Sequence, residues 1–535
     1  MLKKLLNGQT KTITAAAIIL AAASLVSRLL GILRDRVLAG EFGAGVELDM
    51  YYAAFRIPDL VFNLLVLGAL SAGFIPVFTA YLPDKKKAWQ LVNVVLNVMA
   101  VAIILISALL VIISPWLVKL ITPGFNSGQL KITASLTQIM FLSPLLLGIS
   151  GVFASVLQSF KRFFIYSLAP ILYNIGIILG ALFFTPFFGI FGLAWGVVFG
   201  ALMHLVIQLL AVFNLGYHYR WSFDLTDQGL IKILKLMVPR TLTLIISQIN
   251  FLVVTVIGST LAIGSITIFN LANNIQSFPL GIFGISFAIA AFPTLAEIYR
   301  QKKEFINTVS LAIRQILFLI IPASALLIIL RAQLVRVILG SGRFDWEDTV
   351  LTLETMSFFA FSLFAQALVL ILIRAFYAQH DTKTPFYTGL VTAFANVVLA
   401  IMLIEPFGVA GLALAFSLAS ILNFILLTLI LHYRLGQLDG EKIVISTAKI
   451  LVATFMLSLV AQAIKYPVER ITGTQTFLGI AGQTLLASLA GLIVYLLTCW
   501  LLRSEELAIF TRILRRKVFP KPAIAQDIEE KEKLT

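Results

Sequence analysis

The stretch FTPFFGIFGL, from Phe184 to Leu193, returns as IEPFGVAGL between Ile404 and Leu412. Each copy is an apolar segment that is interrupted by one proline and two glycines. A second segment behaves in the same way, because IPVFTAY at Ile75 returns as FPTLAEIY at Phe292. The copies lie about 217 to 220 residues apart, and unrelated matches would scatter instead of keeping one offset. The chain therefore contains two copies of one structural unit.

The composition places both copies in a membrane. Hydrophobic residues make up 60% of the 535 residues and charged residues only 12%, against about 25% charged residues in soluble domains. The mean hydropathy is +1.00. These values predict an all-α polytopic membrane protein, and they leave no room for a large soluble domain.

Apolar runs of about 20 residues predict fourteen spanning helices. The expected spans are 12–33, 50–80, 90–113, 133–158, 168–185, 188–213, 231–258, 268–296, 306–330, 350–377, 386–404, 409–432, 445–464 and 477–502. Because each copy holds six spans, an even number, the two copies enter the membrane from the same side, as a parallel repeat. The expected domains are 1–222, 223–440, a helix pair at 441–505 and a charged tail at 506–535.

Lysine and arginine are concentrated in the N-terminus, in the loops after even-numbered spans and in the tail. In the tail, four of them lie between Arg512 and Lys517. By the positive-inside rule, both termini are expected to be cytoplasmic in a bacterial cytoplasmic membrane. The net charge of +15 follows mostly from this bias, and the tail suits anionic lipid headgroups. No soluble domain carries a basic stripe, so nucleic-acid binding is not expected.

Several chemistries have no support in the sequence. The single cysteine, Cys499, excludes an internal disulfide framework, and the four histidines do not cluster with acids at the spacing of metal ligands. We expect no metal, no cofactor and no enzymatic activity. A membrane glycosyltransferase would need long outer loops that carry acids and arginines, and the largest predicted outer loops have about 20 residues.

Polar residues form stripes on spans one, two, seven and eight, which are equivalent pairs in the two copies. At about 100° per residue, the residues of each stripe share one helix face: Ser24, Arg28, Gly31 and Asp35; Arg56, Asp59 and Asn63; Arg240, Thr243, Ser247 and Asn250; and Asn270, Asn273, Asn274 and Ser277. An arginine inside a membrane costs about 2.5 to 3.5 kcal/mol on insertion scales, so it must face a partner or a water-filled cavity. A cleft between two halves that moves a solute would provide such a cavity.

Structural explanations compete with this one. Arg28 could pair with Asp35 or Asp49, and Arg56 with Asp59, as ion pairs that only hold helices together. Asparagine stripes commonly join neighbouring membrane helices by hydrogen bonds.

The residues from Ser27 resemble a known family. SRLLGILRDRVLAGEFGAGVELDMYYAAFRIPDL, with GALSAGFIPVF from Gly68, is similar to the amino-terminal signature of the MurJ (MviN) lipid II flippases of the multidrug/oligosaccharidyl-lipid/polysaccharide exporter superfamily. Further similar segments are ITPGF at Ile121, KRFFIYSLAPILYNIG at Lys161, SQIN at Ser247, SFPLGIFG at Ser277 and FYAQHDTKTP at Phe376.

The resemblance implies fourteen helices in two lobes, a cationic central cavity, and a groove for a polyprenyl tail formed by the extra helix pair. It implies that Arg28 and Arg34 face the cavity, where a guanidinium can bind pyrophosphate oxygens in a bidentate way, with Asp35 and Asp49 orienting them. The candidate substrate-binding residues are Arg28, Arg34, Asp35, Asp49, Arg56, Asn63, Arg240, Asn250, Asn273 and Asn274.

The chain departs from the family pattern at two places. Family members have two arginines and a glutamate on the second helix, where this chain has Phe62, Asn63 and Leu67, and an arginine on the eighth, where it has Asn274. The cavity is expected to be less cationic as a result, with Arg56 and Arg240 as replacements and Arg374 as a third candidate.

The predicted function is a flippase that moves a polyprenyl-pyrophosphate-linked peptidoglycan precursor, lipid II, between leaflets by alternating access. The alternatives are a flippase for another lipid-linked polysaccharide precursor, a drug exporter of the same superfamily, and a scaffold of cell-wall assembly that no longer transports. A drug exporter would need only twelve spans. Expected partners are the lipid-linked precursor and anionic lipids, with cell-wall synthesis or division proteins as candidates, and we expect a monomer.

Overall fold

The computed structural model describes residues 13–67, 73–436, 438–473 and 476–518, and in these ranges it contains helices and no strands. The first helices are α1 (Ile13–Phe42), α2 (Val46–Val61), α3 (Ile75–Tyr81), α4 (Lys85–Ile121), α5 (Ser127–Met140), α6 (Leu142–Ser159), α7 (Phe163–Leu179), α8 (Thr185–Phe188), α9 (Phe191–Phe213) and α10 (Gln228–Ser259). They are followed by α11 (Ser265–Pro279), α12 (Ile285–Ile298), α13 (Lys302–Ile329), α14 (Arg331–Ile338), α15 (Trp346–Phe361), α16 (Leu363–Ala378), α17 (Lys383–Leu435), α18 (Gly440–Thr472), α19 (Phe477–Leu501) and α20 (Glu505–Val518).

The chain is an all-α polytopic membrane protein. Among the described residues, nine helices are long and apolar enough to cross a membrane. The helices α15 and α16, whose axes are bent by 44° relative to each other, add a tenth span if they are counted as one. The longest of them, α17, contains two helices joined by a kink at Gly408. The count of fourteen spans stays a prediction.

The backbone repeats itself at the offset that the sequence predicts. Residues with positive φ recur in pairs about 220 residues apart: Gly43 with Gly264, Lys161 with His380, Gly189 with Gly408, and Gly216 with Gly436. A π-helical segment interrupts the second predicted span at Phe62–Leu67 and the eighth at Leu280–Gly284. These equivalent positions of the two copies therefore share local irregularities of the backbone as well as sequence.

Helix ends follow ordinary capping chemistry where the chain turns between spans. Asp84 precedes α4, and its carboxylate accepts hydrogen bonds from the amides of Lys86 and Lys87 at 3.1 and 3.2 Å. Asn126 and Gln129 form a reciprocal capping box at the start of α5. These bonds satisfy amides that have no partner inside the helix.

The helices form two compact units. The first contains the described residues up to Ile275 together with 338–356 and 389–419, and the second contains 276–337, 357–388 and the described residues from Ser420 onwards. The units follow the packing of the helices and not the duplication of the chain. The domain boundaries expected from the repeat stay a prediction.

Small residues let helices approach closely in the first unit. A Cβ atom at Gly176 of α7 would lie 2.2 Å from the Cα of Gly200 of α9, and one at Gly180 would lie 2.3 Å from the Cα of Gly196. In a membrane, where apolar side chains gain nothing by leaving lipid, such backbone contact is a main source of helix association. The α7–α9 pair is held in this way.

In the second unit, the predicted additional helix pair packs together as α18 and α19. It is joined to α13 by a hydrogen bond from the buried Tyr495 hydroxyl to the Phe318 carbonyl at 2.6 Å. Below this contact, the buried Arg314 of α13 forms ion pairs with Glu505 at 2.8 Å and Glu506 at 2.9 Å, at the start of α20. The C-terminal helix is therefore fixed to the second unit at its first turn.

Candidate functional site

Arg34 and Asp35, neighbours on α1, form an ion pair inside the first unit. The Arg34 guanidinium donates to Oδ1 of Asp35 from Nε at 3.0 Å and from Nη2 at 2.8 Å. The Asp35 side chain is only 5% exposed and the Arg34 side chain 24%. Asp35 thus neutralises the positive charge of Arg34, which the resemblance assigns to a cationic cavity.

Two amides complete this ion pair. Nη1 of Arg34 donates to Oδ1 of Asn174 on α7 at 3.2 Å, and Nδ2 of Asn274 on α11 donates to Oδ2 of Asp35 at 2.9 Å. Asn174 is absent from the predicted site, although it is the one amide residue of the fifth predicted span. An isolated amide in a span could have indicated a site residue from the sequence alone, since polar residues in spans seldom lack a partner. We call Arg34, Asp35, Asn174 and Asn274 the Arg34 cluster.

Arg28 lies two turns before this cluster on α1 and is partly exposed. Within the part of the chain that the structure describes, no hydrogen bond or ion pair reaches it. The alternative pairing with Asp35 or Asp49 is not formed, because Asp35 binds Arg34 and Asp49 has other partners. Arg28 therefore presents an uncompensated charge on α1, the first predicted span.

Asp49 caps the N-terminus of α11. Its Oδ2 accepts from the amide of Gly264 at 2.7 Å, and its Oδ1 accepts from the amide and the hydroxyl of Thr267 at 2.8 and 2.7 Å. A carboxylate is favoured at this end of a helix because the first amides lack partners and the helix dipole is positive there. Asp49 therefore stabilises the start of α11, and the role that the resemblance implies for it, orienting an arginine, stays a prediction.

Arg56 joins three helices of the first unit. From α2, its Nε donates to Oγ1 of Thr255 on α10 at 3.0 Å, and its Nη2 donates to Oδ1 of Asn270 on α11 at 2.7 Å. The guanidinium carbon lies 5.1 Å from the ring centroid of Phe251. No ion pair joins Arg56 to Asp59 in the described structure, so the structural pairing weighed above is not formed. All three contacts are with uncharged groups.

The remaining candidates are distributed. Nδ2 of Asn63 donates to the carbonyl of Asp59 one turn earlier at 2.8 Å. Asn250 accepts a hydrogen bond of 3.4 Å from Asn396 on α17. Asn273 is half-buried on α11, and the side chain of Arg240 lies outside the described residues. Arg34, Asp35 and Asn274 of the predicted set come together, while Asn63 and Asn250 bind other groups.

The sequence FYAQHDTKTP forms a helix cap in the second unit. The Asp381 carboxylate accepts from the amides of Lys383 and Thr384 at 2.9 and 3.0 Å, and it forms an ion pair with Arg434 at 2.5 Å. Burial raises the pKa of Asp381, but the hydrogen bonds from Thr384 and Arg434 outweigh burial and hold that pKa below its usual value. This motif stabilises the start of α17.

A large apolar cavity lies in the second unit. Its volume is about 1130 Å³, and its walls come from α13, the end of α15, α16, the end of α17 and the first half of α18. Phe364 and Phe424 line two of these walls, and Leu451 lines the wall formed by α18. An apolar space of this kind suits hydrocarbon and not a charged group.

Comparison with known proteins places the chain in a family. The profile of the family described as lipid II flippase MurJ matches residues 38–500. The chain belongs to the lipid II flippase MurJ family. The MurJ match begins after Arg28, Arg34 and Asp35, so membership alone does not assign roles to these residues.

Individual MurJ proteins agree with the profile. A probable lipid II flippase MurJ of Buchnera aphidicola subsp. Acyrthosiphon pisum (strain APS) is 32% identical over 419 residues, which cover 77% of this chain and 82% of that protein. A probable lipid II flippase MurJ of Rhizobium tropici is 30% identical over 529 residues, which cover 94% of this chain and 96% of that protein. The solved structure of lipid II flippase MurJ in an inward closed conformation shares the fold with a TM-score of 0.75 at 24% identity, and it covers 93% of this chain and 100% of that one.

Proposed function

We propose that the chain moves lipid II, a polyprenyl-pyrophosphate-linked peptidoglycan precursor, from the inner to the outer leaflet of a bacterial cytoplasmic membrane by alternating access. Membership of a flippase family supports a transporter and not an enzyme. The observation that carries the proposal to specific residues is the uncompensated Arg28. A guanidinium without a partner is expensive in a membrane, and an anionic cargo would offset that cost.

Charge matching supports a pyrophosphate as the bound group. The Arg34 cluster is neutral overall, because one arginine and one aspartate cancel. Neither Arg28 nor Arg56 forms an ion pair with an acid in the described structure, and a pyrophosphate diester carries two negative charges. In this proposal Arg28 binds phosphate oxygens directly through its two-pronged donor group. The Arg34 cluster holds α1, α7 and α11 at the site.

The apolar cavity supports a place for the lipid tail. In the proposed cycle the headgroup crosses the membrane beside Arg28, and the polyprenyl chain stays in apolar surroundings along α18. The additional helix pair is proposed to exist for this purpose, since a cargo without a long tail would not need it.

The orientation and the partners belong to the same proposal. Both termini are proposed to be cytoplasmic, in accord with the excess of lysine and arginine on that side. The tail is proposed to bind anionic lipid, although the basic side chains after Arg512 lie outside the described residues. We further propose that the protein acts as a monomer, with cell-wall synthesis or division proteins as candidate partners.

The test is rescue of bacteria that are depleted of their own lipid II flippase. The parent chain should restore growth, and Arg28→Ala should not, although it should reach the membrane in normal amount. Arg300→Ala, at an exposed position outside the spans, is the matched control and should restore growth. Failure of the parent chain, while it is present in the membrane, would contradict lipid II as the cargo and favour another lipid-linked saccharide.

A further inference from the structure

The segment Tyr217–Leu225, which we call the strap, lies between α9 and α10 and is not helical. It is tied to α4 by side-chain hydrogen bonds. The Tyr217 hydroxyl donates to Oδ1 of Asn93 at 2.6 Å, and the Tyr219 hydroxyl donates to Oδ1 of Asn97 at 2.8 Å. Nδ2 of Asn97 returns a bond to the Ser222 carbonyl at 2.9 Å. The strap therefore has a definite position along α4.

Large apolar side chains alternate along the strap with exposed polar ones, His218, Arg220 and Asp224. Tyr219, Trp221, Phe223 and Leu225 alternate along it and are 50%, 69%, 46% and 59% exposed. Four large apolar side chains this exposed within nine residues call for an apolar neighbour. Tyrosine and tryptophan in particular are enriched where a membrane meets water, because their rings are apolar and carry one polar group.

The position of the strap along α4 identifies that neighbour. Trp116, near the other end of α4, is 80% exposed, as expected of a tryptophan at one membrane interface. Asn97 lies about 28 Å from it along the helix at 1.5 Å per residue, and the hydrocarbon core of a bilayer is about 30 Å thick. The exposed large apolar residues of α4 from Ile104 to Ile113 fall between these two levels. The strap thus lies at the opposite interface.

We propose that the strap is a membrane-interface anchor whose partner is the boundary between lipid headgroups and acyl chains. Its aromatic side chains enter that boundary, and its hydrogen bonds to Asn93 and Asn97 hold it to the third predicted span. The strap is also the connection between the two copies of the repeat. The anchor therefore keeps this connection at the membrane surface, attached to the first copy, and it does so whatever the cargo is.

Spin labelling tests this proposal. A nitroxide at Trp221→Cys, in a cysteine-free background that contains Cys499→Ser, is placed in vesicles of phosphatidylethanolamine and phosphatidylglycerol. Collisions of the label with oxygen, which concentrates in lipid, and with a nickel chelate, which stays in water, report its surroundings. The label at Trp221 should favour oxygen. The control label at Asp84→Cys, in the exposed turn between α3 and α4, should favour nickel.

Equal access of nickel to both labels would overturn the proposal, and so would protection of the Trp221 label that occurs only in native membranes and not in purified vesicles. If Trp221→Cys does not accumulate, Phe223→Cys carries the same label with the same two outcomes. A second measurement uses Asn97→Ala, which should increase the mobility of the label because the strap loses its central bonds. Unchanged mobility would contradict the attachment to α4.

Discussion

Breaking the Arg34–Asp35 pair should reduce stability far more than removing Arg28, although both arginines lie on α1. Arg34→Met leaves a carboxylate that is 5% exposed without its cation. Removing one partner of a buried ion pair costs about 3 to 5 kcal/mol. The lower end, about 3 kcal/mol, applies because Arg34 is 24% exposed and the bond from Asn274 remains.

The assay is the thermal midpoint and the yield of purified protein for the parent and three variants. Arg34→Met should lower both values, and Arg34→Met/Asp35→Asn should recover most of the loss, because the pair is then neutral and the amide of position 35 can still accept from Asn274. Arg28→Ala should leave both values at the level of the parent, or raise them, since it removes a charge that has no partner. Normal stability of Arg34→Met, or no recovery in the double variant, would refute this reasoning.

Three further predictions concern other parts of the molecule. Asn274→Arg should be tolerated and should raise affinity for the pyrophosphate headgroup, because it adds a cation beside Asp35; lower yield without tighter binding would count against it. Asp381→Asn should lower the thermal midpoint at pH 7. Because the pKa of Asp381 is depressed in the fold, the difference from the parent should shrink as the pH falls below about 4, where the carboxylate protonates. In a cysteine-free background, Asn126→Cys should react with an impermeant thiol reagent from outside and Lys86→Cys should not; the reverse pattern would invert the proposed topology.

Local and repetitive features of the fold could be predicted from the sequence. The constant offset between FTPFFGIFGL and IEPFGVAGL reappears as the paired positive φ angles at Gly189 and Gly408. The apolar composition correctly predicts an all-α membrane protein. Such features depend on residues that are neighbours in the chain or on the overall apolar composition. The amino-acid sequence alone contains both kinds of information.

The partners of the polar side chains could not be predicted in the same way. Helical spacing suggests that Arg56 pairs with Asp59, which is one turn away, but Thr255 and Asn270 on other helices take its donors. Asp49 is engaged by the N-terminus of α11, more than 200 residues away in the chain. These contacts depend on which helices pack together, and that information is absent from the periodicity of a single helix.

Transport of labelled lipid II across vesicles that contain the purified chain tests the central claim most directly. The parent should move the lipid between leaflets, Arg28→Lys should move it more slowly because the two-pronged donor is lost, and Arg28→Ala should not move it. Transport at the parental rate by Arg28→Ala would contradict the role of Arg28 as the ligand of the pyrophosphate.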